Sequence, residues 1–318
     1  MSTCCCVSPK CRSGRQAGTP GGIYLKTDSL LVQTKQLLRH FDLRARKRLG
    51  QHFLIDKEVL SLITASAEVT SSDVVLEVGP GLGVLTRELA RQAGWVITIE
   101  LDNNLAALLK QTLVPFNNIT IINEDVLRIE PAELIQKLRF PPEVNNSFNY
   151  KLVANLPYYI TSPVLRHFFE ALLKPQIMVV MVQKEVAEAI VAEPGKMSVL
   201  SISVQYYGQP RIISYVPASC FYPAPEVDSA ILHVTLYSKP VVDGADESGF
   251  FELVRAGFSA PRKQIVNSLA QGLKLSRDDA LSLLEAADII PQRRAETLTV
   301  DEWARMLKIF TQMRSKTL

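Results

Sequence analysis

The chain of 318 residues lacks long hydrophobic runs. Its longest purely aliphatic stretch, Ile177 to Val182, is six residues, against about 20 for a membrane-spanning helix, so no membrane partner is expected. The N-terminus lacks the apolar segment that directs secretion, which predicts a cytoplasmic protein. Acids are missing before Asp28, as in transit peptides, and this keeps organelle import as the alternative. Cysteine is scarce beyond the start: of five, Cys4, Cys5, Cys6 and Cys11 crowd into the first eleven residues. A metal site would pair them with a second cysteine pair or with histidines farther on. That second pair is missing, so no metal is expected and the segment reads as a reduced, disordered tail, with lipidation or zinc binding as the alternatives. Cys220 stands alone and reads as packing.

What is present is ample core, at 47% hydrophobic, enough for one large or two modest domains. The net charge of +3 is unevenly spread. Residues 1–48 hold ten Lys or Arg against Asp28 and Asp42, a local excess of +8 that leaves −5 for the remainder. Arg46, Lys47 and Arg48, close behind Arg44, fit contact with nucleic-acid phosphates; a solvated flexible tail is the alternative.

The most informative stretch is Val74 to Asp102. Val74–Val78 reads as a buried parallel strand. Gly79-Pro80-Gly81-Leu82-Gly83 then breaks it, a helix follows with apolar Val84, Leu85, Leu89 and Ala93, and a second strand, Trp95 to Ile99, ends in Glu100-Leu101-Asp102. Glycines let a backbone approach a ligand closely, and the acid suits ribose hydroxyls. Nicotinamide, flavin and S-adenosylmethionine sites all use such a turn. Here the spacing is G-x-G-x-G rather than G-x-G-x-x-G, and Glu77 just ahead of it would repel a pyrophosphate. Both features favour S-adenosylmethionine, which carries no phosphate.

The surrounding pattern alternates. Strands are predicted at 74–79, 95–100, 119–124, 150–156 and 177–183, with helices near 83–93, 103–113, 131–139 and 161–173. The pattern implies a doubly wound parallel sheet with its ligand at the carboxyl ends of the strands. Those ends carry Gly79, Glu100, Asp125 and Asn155-Leu156-Pro157-Tyr158: glycine, acid, acid and amide delivered to one edge. A strand at 211–216, a proline-rich loop at 217–228 and a strand at 229–237 predict an antiparallel closing of the sheet. Four segments follow as domains: a disordered tail at 1–43 (though Ser29 to Phe41 has the pattern of a short amphipathic helix), a catalytic domain at 44–238, a linker at 239–249, and a helical domain at 250–318. Ser276 and Thr299 read as helix starts in that last domain, and Arg262 and Lys263 lie in one of its early turns.

Asn155-Leu156-Pro157-Tyr158 suits one particular chemistry. An exocyclic adenine amine is a poor nucleophile because its lone pair is delocalised into the ring. The Asn155 side-chain oxygen and the Leu156 carbonyl could both accept hydrogen bonds from such an amine. Pro157 biases Leu156 to an extended backbone, and Tyr158 offers a ring to an extruded base. Catalysis of this kind is mostly proximity and orientation. An ordinary structural turn is the bland alternative.

Matching stretches then run in order along the chain. They include Arg46 to Leu54, Glu77 to Gly83, Ile99 to Asp102, Glu124-Asp125, Asn155 to Tyr158, Gln183 to Val186, Ser203 to Tyr207, Phe221 to Ala230, Pro261 to Leu269 and Arg294 to Glu296. In this set the chain resembles the ribosomal RNA small-subunit adenine dimethyltransferase family. The resemblance implies a class I S-adenosylmethionine-dependent methyltransferase fold, α/β and Rossmann-like, whose last strand is antiparallel, with a small C-terminal α-helical domain. It implies N6,N6-dimethylation of two adjacent adenosines in the 3′-terminal hairpin loop of small-subunit rRNA, on an immature small ribosomal subunit, by a protein taken as a monomer. Residue by residue, it implies that His52 and Leu54 lie over the cofactor, that Gly79 and Gly81 lie beside it, and that Glu100 holds its ribose. Asp125 falls at the adenine amine of the cofactor, and Asn155 is shared between cofactor and target amine. Tyr158 and Phe221 are the aromatics that would sandwich the target adenine; apart from the resemblance, the positive charge of Arg46, Lys47, Arg48, Arg262 and Lys263 makes them the expected RNA-binding cations. The family often has Asn where this chain has His52, and residues 1–43 have no recognised counterpart. Rival expectations are a large-subunit methyltransferase of the macrolide-resistance type, a mitochondrial family member, a non-catalytic ribosome-assembly factor and a nicotinamide oxidoreductase.

Overall fold

A computed structural model describes residues 29–46, 50–144, 149–239 and 247–317. The first described element is helix α1 (Leu30–His40), whose N-terminus Ser29 caps by accepting from the Val32 N–H. Its apolar side is not left in water: Leu37 and Leu38 are buried against Phe53, Leu82, Leu105 and Leu109. Burying two such leucines is worth about 2 kcal/mol each. The expectation of a disordered tail through residue 43 therefore fails for its last third, and residues 1–28 lie outside the described residues.

A two-residue strand β1 (Phe53–Leu54) and helix α2 (Lys57–Ser66) lead into the alternating body. Its strands are β2 (Val74–Val78), β3 (Trp95–Ile99), β4 (Ile119–Ile122), β5 (Tyr150–Asn155) and β6 (Ile177–Gln183). The helices between them are α3 (Val84–Ala90), α4 (Asn103–Thr112), α5 (Pro131–Lys137) and α6 (Thr161–Glu170). Next come α7 (Lys184–Ile190), α8 (Val199–Tyr207), β7 (Gly208–Val216), β8 (Phe221–Tyr222) and β9 (Ser229–Leu236). Helices α9 (Glu247–Gly257), α10 (Ile265–Leu273), α11 (Arg277–Ala286) and α12 (Val300–Thr317) complete the chain. Because α9 already begins at Glu247, the expected linker at 239–249 is shorter than the composition implied; residues 240–246 lie outside the described residues.

The main sheet has the order β4-β3-β2-β5-β6-β9-β7, with β4 to β6 mutually parallel and β9 antiparallel to both of its neighbours. The antiparallel closing is as the sequence predicts. All five residues of β2 are buried, because helices cover both faces. Val75, Val153 and Val179 pack toward α2 and α3, while Leu76, Leu152 and Val180 pack on the opposite face, toward α6 and α8. The second core does not stop at the sheet. It continues through Tyr206 of α8, whose ring lies 4.4 Å from that of Phe250, into the C-terminal helices around the buried Trp303. There Ser276 caps α11, and Thr299 and Glu302 cap each other's backbone at the start of α12.

Outside the main sheet, β1 and β8 pair antiparallel, Phe53 with Tyr222 and Leu54 with Phe221. This ribbon was not foreseen. It ties the segment after α1 to the proline-rich loop between β7 and β9.

Candidate active site

The chain winds from β2 outward in both directions, and at such a reversal the carboxyl ends of the strands open a crevice. A cavity of about 210 Å³ lies there. Gly79 and Gly81 line it in left-handed conformations, φ 65° and 57°, which side chains rarely adopt. A Cβ on Gly81 would stand 3.3 Å from the Phe53 ring, and one on Gly79 3.5 Å from Pro157. The turn is therefore pressed between β1 and the end of β5.

Two carboxylates face this turn. The Gly81 N–H donates to Glu100 Oε2 (3.2 Å) and the Asp102 N–H to Oε1 (2.8 Å). Burial pushes the Glu100 carboxyl up to about 7, although those backbone donors pull it down. Glu77, inside β2, is pushed up to about 8, first by burial; the Thr86 hydroxyl, donating at 2.6 Å, lowers it and the nearby Glu100 raises it. The charge of Arg87 also lowers Glu77, but burial outweighs it. Carboxyls held this high by burial fit a cationic ligand, and S-adenosylmethionine carries a sulfonium and an ammonium group. Glu100, with lone pairs to spare, suits its ribose hydroxyls.

At the end of β5, the Asn155 Nδ2 donates to the His52 carbonyl (3.2 Å). That bond uses one of the two N–H donors of the amide and leaves Oδ1 to accept from a ligand. Leu156 donates its N–H to the Met181 carbonyl at 3.2 Å, and its own carbonyl accepts nothing among the described residues. Two acceptors are thus available at adjacent positions. Tyr158 is held through its hydroxyl by Ser229 Oγ (2.6 Å), and the His52 ring stacks beside it at 5.8 Å. His52 is held in turn by Nδ1 donating to the Pro223 carbonyl (2.7 Å). Asp125 caps the short turn 126–128 by accepting from the Leu127 N–H (3.0 Å).

The cavity thus gathers His52, Leu54, Gly79, Gly81, Glu100 and Asp125 with Asn155, Leu156, Pro157 and Tyr158. Phe221 is a correction. It is 3% exposed, packs in the core near Leu54 and Val216, and does not line the cavity. Neighbours in a strand point to opposite sides, and the β1–β8 register turns Phe221 inward while Tyr222 remains half-buried. Arg46 is committed as well: its Nη1 lies 3.2 Å from Asp102, which also accepts from Gln51 Nε2. Lys47 and Arg48 lie outside the described residues. Arg262 and Lys263 are exposed in the turn between α9 and α10, away from the cavity lining. Glu77 and the half-exposed Tyr159 also line the cavity and were not among the candidates. An acid inside the apolar string VVLEV was the available signal for Glu77. Among the described residues no cluster of His, Cys, Asp and Glu could hold a metal ion, and no helix is long and apolar enough to cross a membrane.

Comparison with known proteins decides the family. The family described as Ribosomal RNA adenine dimethylase matches residues 42–312. The chain belongs to the ribosomal RNA adenine dimethylase family. Among similar dimethylase relatives, a "Ribosomal RNA small subunit methyltransferase A" from Dehalococcoides mccartyi is 49% identical over 286 residues, covering 90% of this chain and 95% of the relative. One from Bacillus mycoides is 40% identical, covering 86% and 94%. Two solved structures share the dimethylase fold. The 23S rRNA methyltransferase ErmE aligns with a TM-score of 0.64 at 29% identity, covering 82% of this chain and 100% of its own. A dimethyladenosine transferase from Plasmodium falciparum aligns at 0.67 and 26%, covering 82% and 98%. The expected class I methyltransferase architecture, with a mixed sheet and C-terminal helices, is therefore the observed one, and the oxidoreductase alternative falls away.

Proposed function

We propose that the protein dimethylates N6 of adenosines in small-subunit rRNA during ribosome biogenesis, acting on two adjacent adenosines in the 3′-terminal hairpin loop of an immature particle in the cytoplasm. The observation that carries the chemistry is the Asn155 amide, which is anchored by an N–H donated to the His52 carbonyl while its oxygen and the Leu156 carbonyl remain available. Similarity to small-subunit methyltransferases at 49% identity supports the choice of subunit.

Bound S-adenosylmethionine would supply an electrophilic methyl carried on a sulfonium. Glu100 would hold the ribose hydroxyls, and Glu77 would offer a negative charge to the cationic end. Asp125 would accept from the adenine amine of the cofactor, while Gly79 and Gly81 keep the turn close to it. Asn155 Oδ1 and the Leu156 carbonyl would accept the two N6 protons of the target, which aims the nitrogen lone pair at the methyl. On taking the methyl from the sulfonium, which would leave as a thioether, the target nitrogen would gain positive charge beside two carbonyl dipoles and then release a proton to solvent. No strong base is required, and the rate gain comes from orientation. After the first methyl one N–H remains, so a single acceptor suffices to orient the second transfer. Tyr158 would stack on the target base with the ring side that His52 leaves open.

The test is tritium transfer from labelled S-adenosylmethionine to small ribosomal subunits lacking the modification, with large subunits as control and the nucleoside identified after digestion. Label in dimethyladenosine on small subunits alone is expected. Label on large subunits alone would move the substrate to that particle. No label despite cofactor binding would leave an assembly factor.

A further inference from the structure

One strongly basic surface is not used by this chemistry. Lys35, Arg39 and Arg44 line a groove of about 460 Å³ between α1 and the start of the β8–β9 loop, with Tyr222 and Pro223 as its other wall. Lys35 and Arg39 are four residues apart, so they share a helix face. After α1, Asp42 adopts a left-handed conformation, φ 49°, and the chain turns there before Arg44. Arg39 and Arg44 are exposed, and neither has an ion pair among the described residues. The Lys35 ammonium lies 5.2 Å from the centre of the Tyr222 ring, near enough for a cation–π contact. The one acid on the lining is Asp42, so three cations face a single anion. This occurs on a chain whose residues beyond position 48 are net negative, so the concentration of charge is local.

The position of the groove says what the cations are for. The Pro223 carbonyl accepts from His52 Nδ1, and the His52 carbonyl accepts from Asn155 Nδ2. One residue and two hydrogen bonds separate the groove wall from the amide that faces the target amine. A nucleotide extruded into the cavity keeps its phosphodiester links on both sides, and the rim next to His52 is the part of the cavity mouth that adjoins the groove. We infer that the groove lined by Lys35, Arg39 and Arg44 binds the phosphates of the RNA strand flanking the target adenosine, with Tyr222 as an apolar wall for the adjoining sugar or base. This rests on the proposed function for the identity of the RNA, and it adds a substrate-binding surface to the cations at Arg262 and Lys263.

The experiment measures binding to unmodified small subunits over a range of KCl, with S-adenosylmethionine present, for the full chain and for K35Q/R39Q/R44Q. Each phosphate contact in single-stranded nucleic acid contributes about 0.7 to the slope of log K against log salt. Losing three contacts should make the slope shallower by about two, weaken binding at low salt and raise KM for the particle. Affinity for S-adenosylmethionine by calorimetry reports whether the variant is folded. Because Lys35 is half-buried, R39Q/R44Q is the companion variant, with an expected slope change of somewhat over one. An unaltered slope in either variant, with wild-type cofactor affinity, would overturn the inference. Methylation of large subunits alone by the wild-type chain would instead overturn the proposed substrate, and the same slopes measured on that particle would then decide the groove.

Discussion

The two ends of the parallel sheet both bury charge, and they do it in opposite ways. At the amino end, Lys151 of β5 places its ammonium 3.0 Å from Asp73 and donates to the Glu68 carbonyl at 2.6 Å. At the carboxyl end, Glu77 and Glu100 are buried with hydrogen bonds, the charge of Arg87 only partly offsets burial at Glu77, and both carboxyls are pushed well above their ordinary range. A buried charge with its partner in place is a structural arrangement. Acids that burial holds far above their ordinary range mark the end where a positively charged ligand belongs. Substitutions at one end should therefore act on stability, and at the other on ligand binding and turnover.

The largest effect is expected at Asn155. Asn155→Ala removes the oriented acceptor and the anchor to His52, and misplacing a reacting group by about 1 Å already costs about 100-fold. Methyl transfer should fall about 1,000-fold, about 4 kcal/mol, with the melting temperature little changed. Single-turnover transfer within a few-fold of wild type would remove the amide from the mechanism. At the other end, Lys151→Met leaves the Glu68 carbonyl and part of Asp73 unpaired. Breaking such a pair costs about 3 kcal/mol, to be read from urea unfolding. If the variant lost cofactor affinity instead, with stability intact, the division of labour between the two ends would be wrong.

Glu77→Gln tests the carboxyl end directly, because it keeps the shape and the Thr86 bond while removing the charge. The folded carboxyl titrates at about 8, above its unfolded value, so ionisation opposes folding. The penalty begins as pH rises past the unfolded value and is complete above the folded one. At pH 7 the variant should be more stable than wild type by about 3 kcal/mol, yet bind S-adenosylmethionine more weakly. The same titration gives the wild type a pH profile. Glu77 and Glu100, protonated at pH 6 in the free protein, must release protons to meet a cationic ligand. Cofactor affinity should rise from pH 6 to about 8 and then level off, and Glu100→Ala should weaken it throughout. A flat profile by calorimetry would mean that neither acid senses the ligand.

Much of this was legible in the sequence, and the gaps have physical causes. The alternation of apolar runs with helical periods marked the strands of the parallel sheet, and the residues at their carboxyl ends marked the crevice. The β1–β8 ribbon was not legible, because two-residue strands carry no periodicity and their pairing closes a loop from Leu54 to Phe221. Phe221 and Tyr222 are both aromatic, so only the register of that ribbon decides which of them turns inward. Arg46 looked like a free cation because its partner, Asp102, lies on another strand end. Glu77 stood out as an acid in an apolar strand, but its nearness to Glu100 depends on β2 and β3 lying side by side.

The smallest expected effect concerns His52, where relatives in the family often carry Asn. The imidazole Nδ1 and the asparagine Nδ2 are each attached to Cγ, so His52→Asn can still donate to the Pro223 carbonyl. The contact that matters to the chemistry is the hydrogen bond that Asn155 Nδ2 donates to the residue-52 backbone carbonyl, and the residue-52 side chain does not enter it. What the substitution removes is the ring beside Tyr158, and a stacked pair is worth about 1 kcal/mol. Stability should drop by about that much while methyl transfer stays within about fivefold, since 1 kcal/mol is the largest effect the ring could pass on. A hundredfold loss of turnover at unchanged stability would show that the imidazole itself sets the position of Tyr158 against the target base, and would move His52 from holding the wall of the site to positioning the substrate.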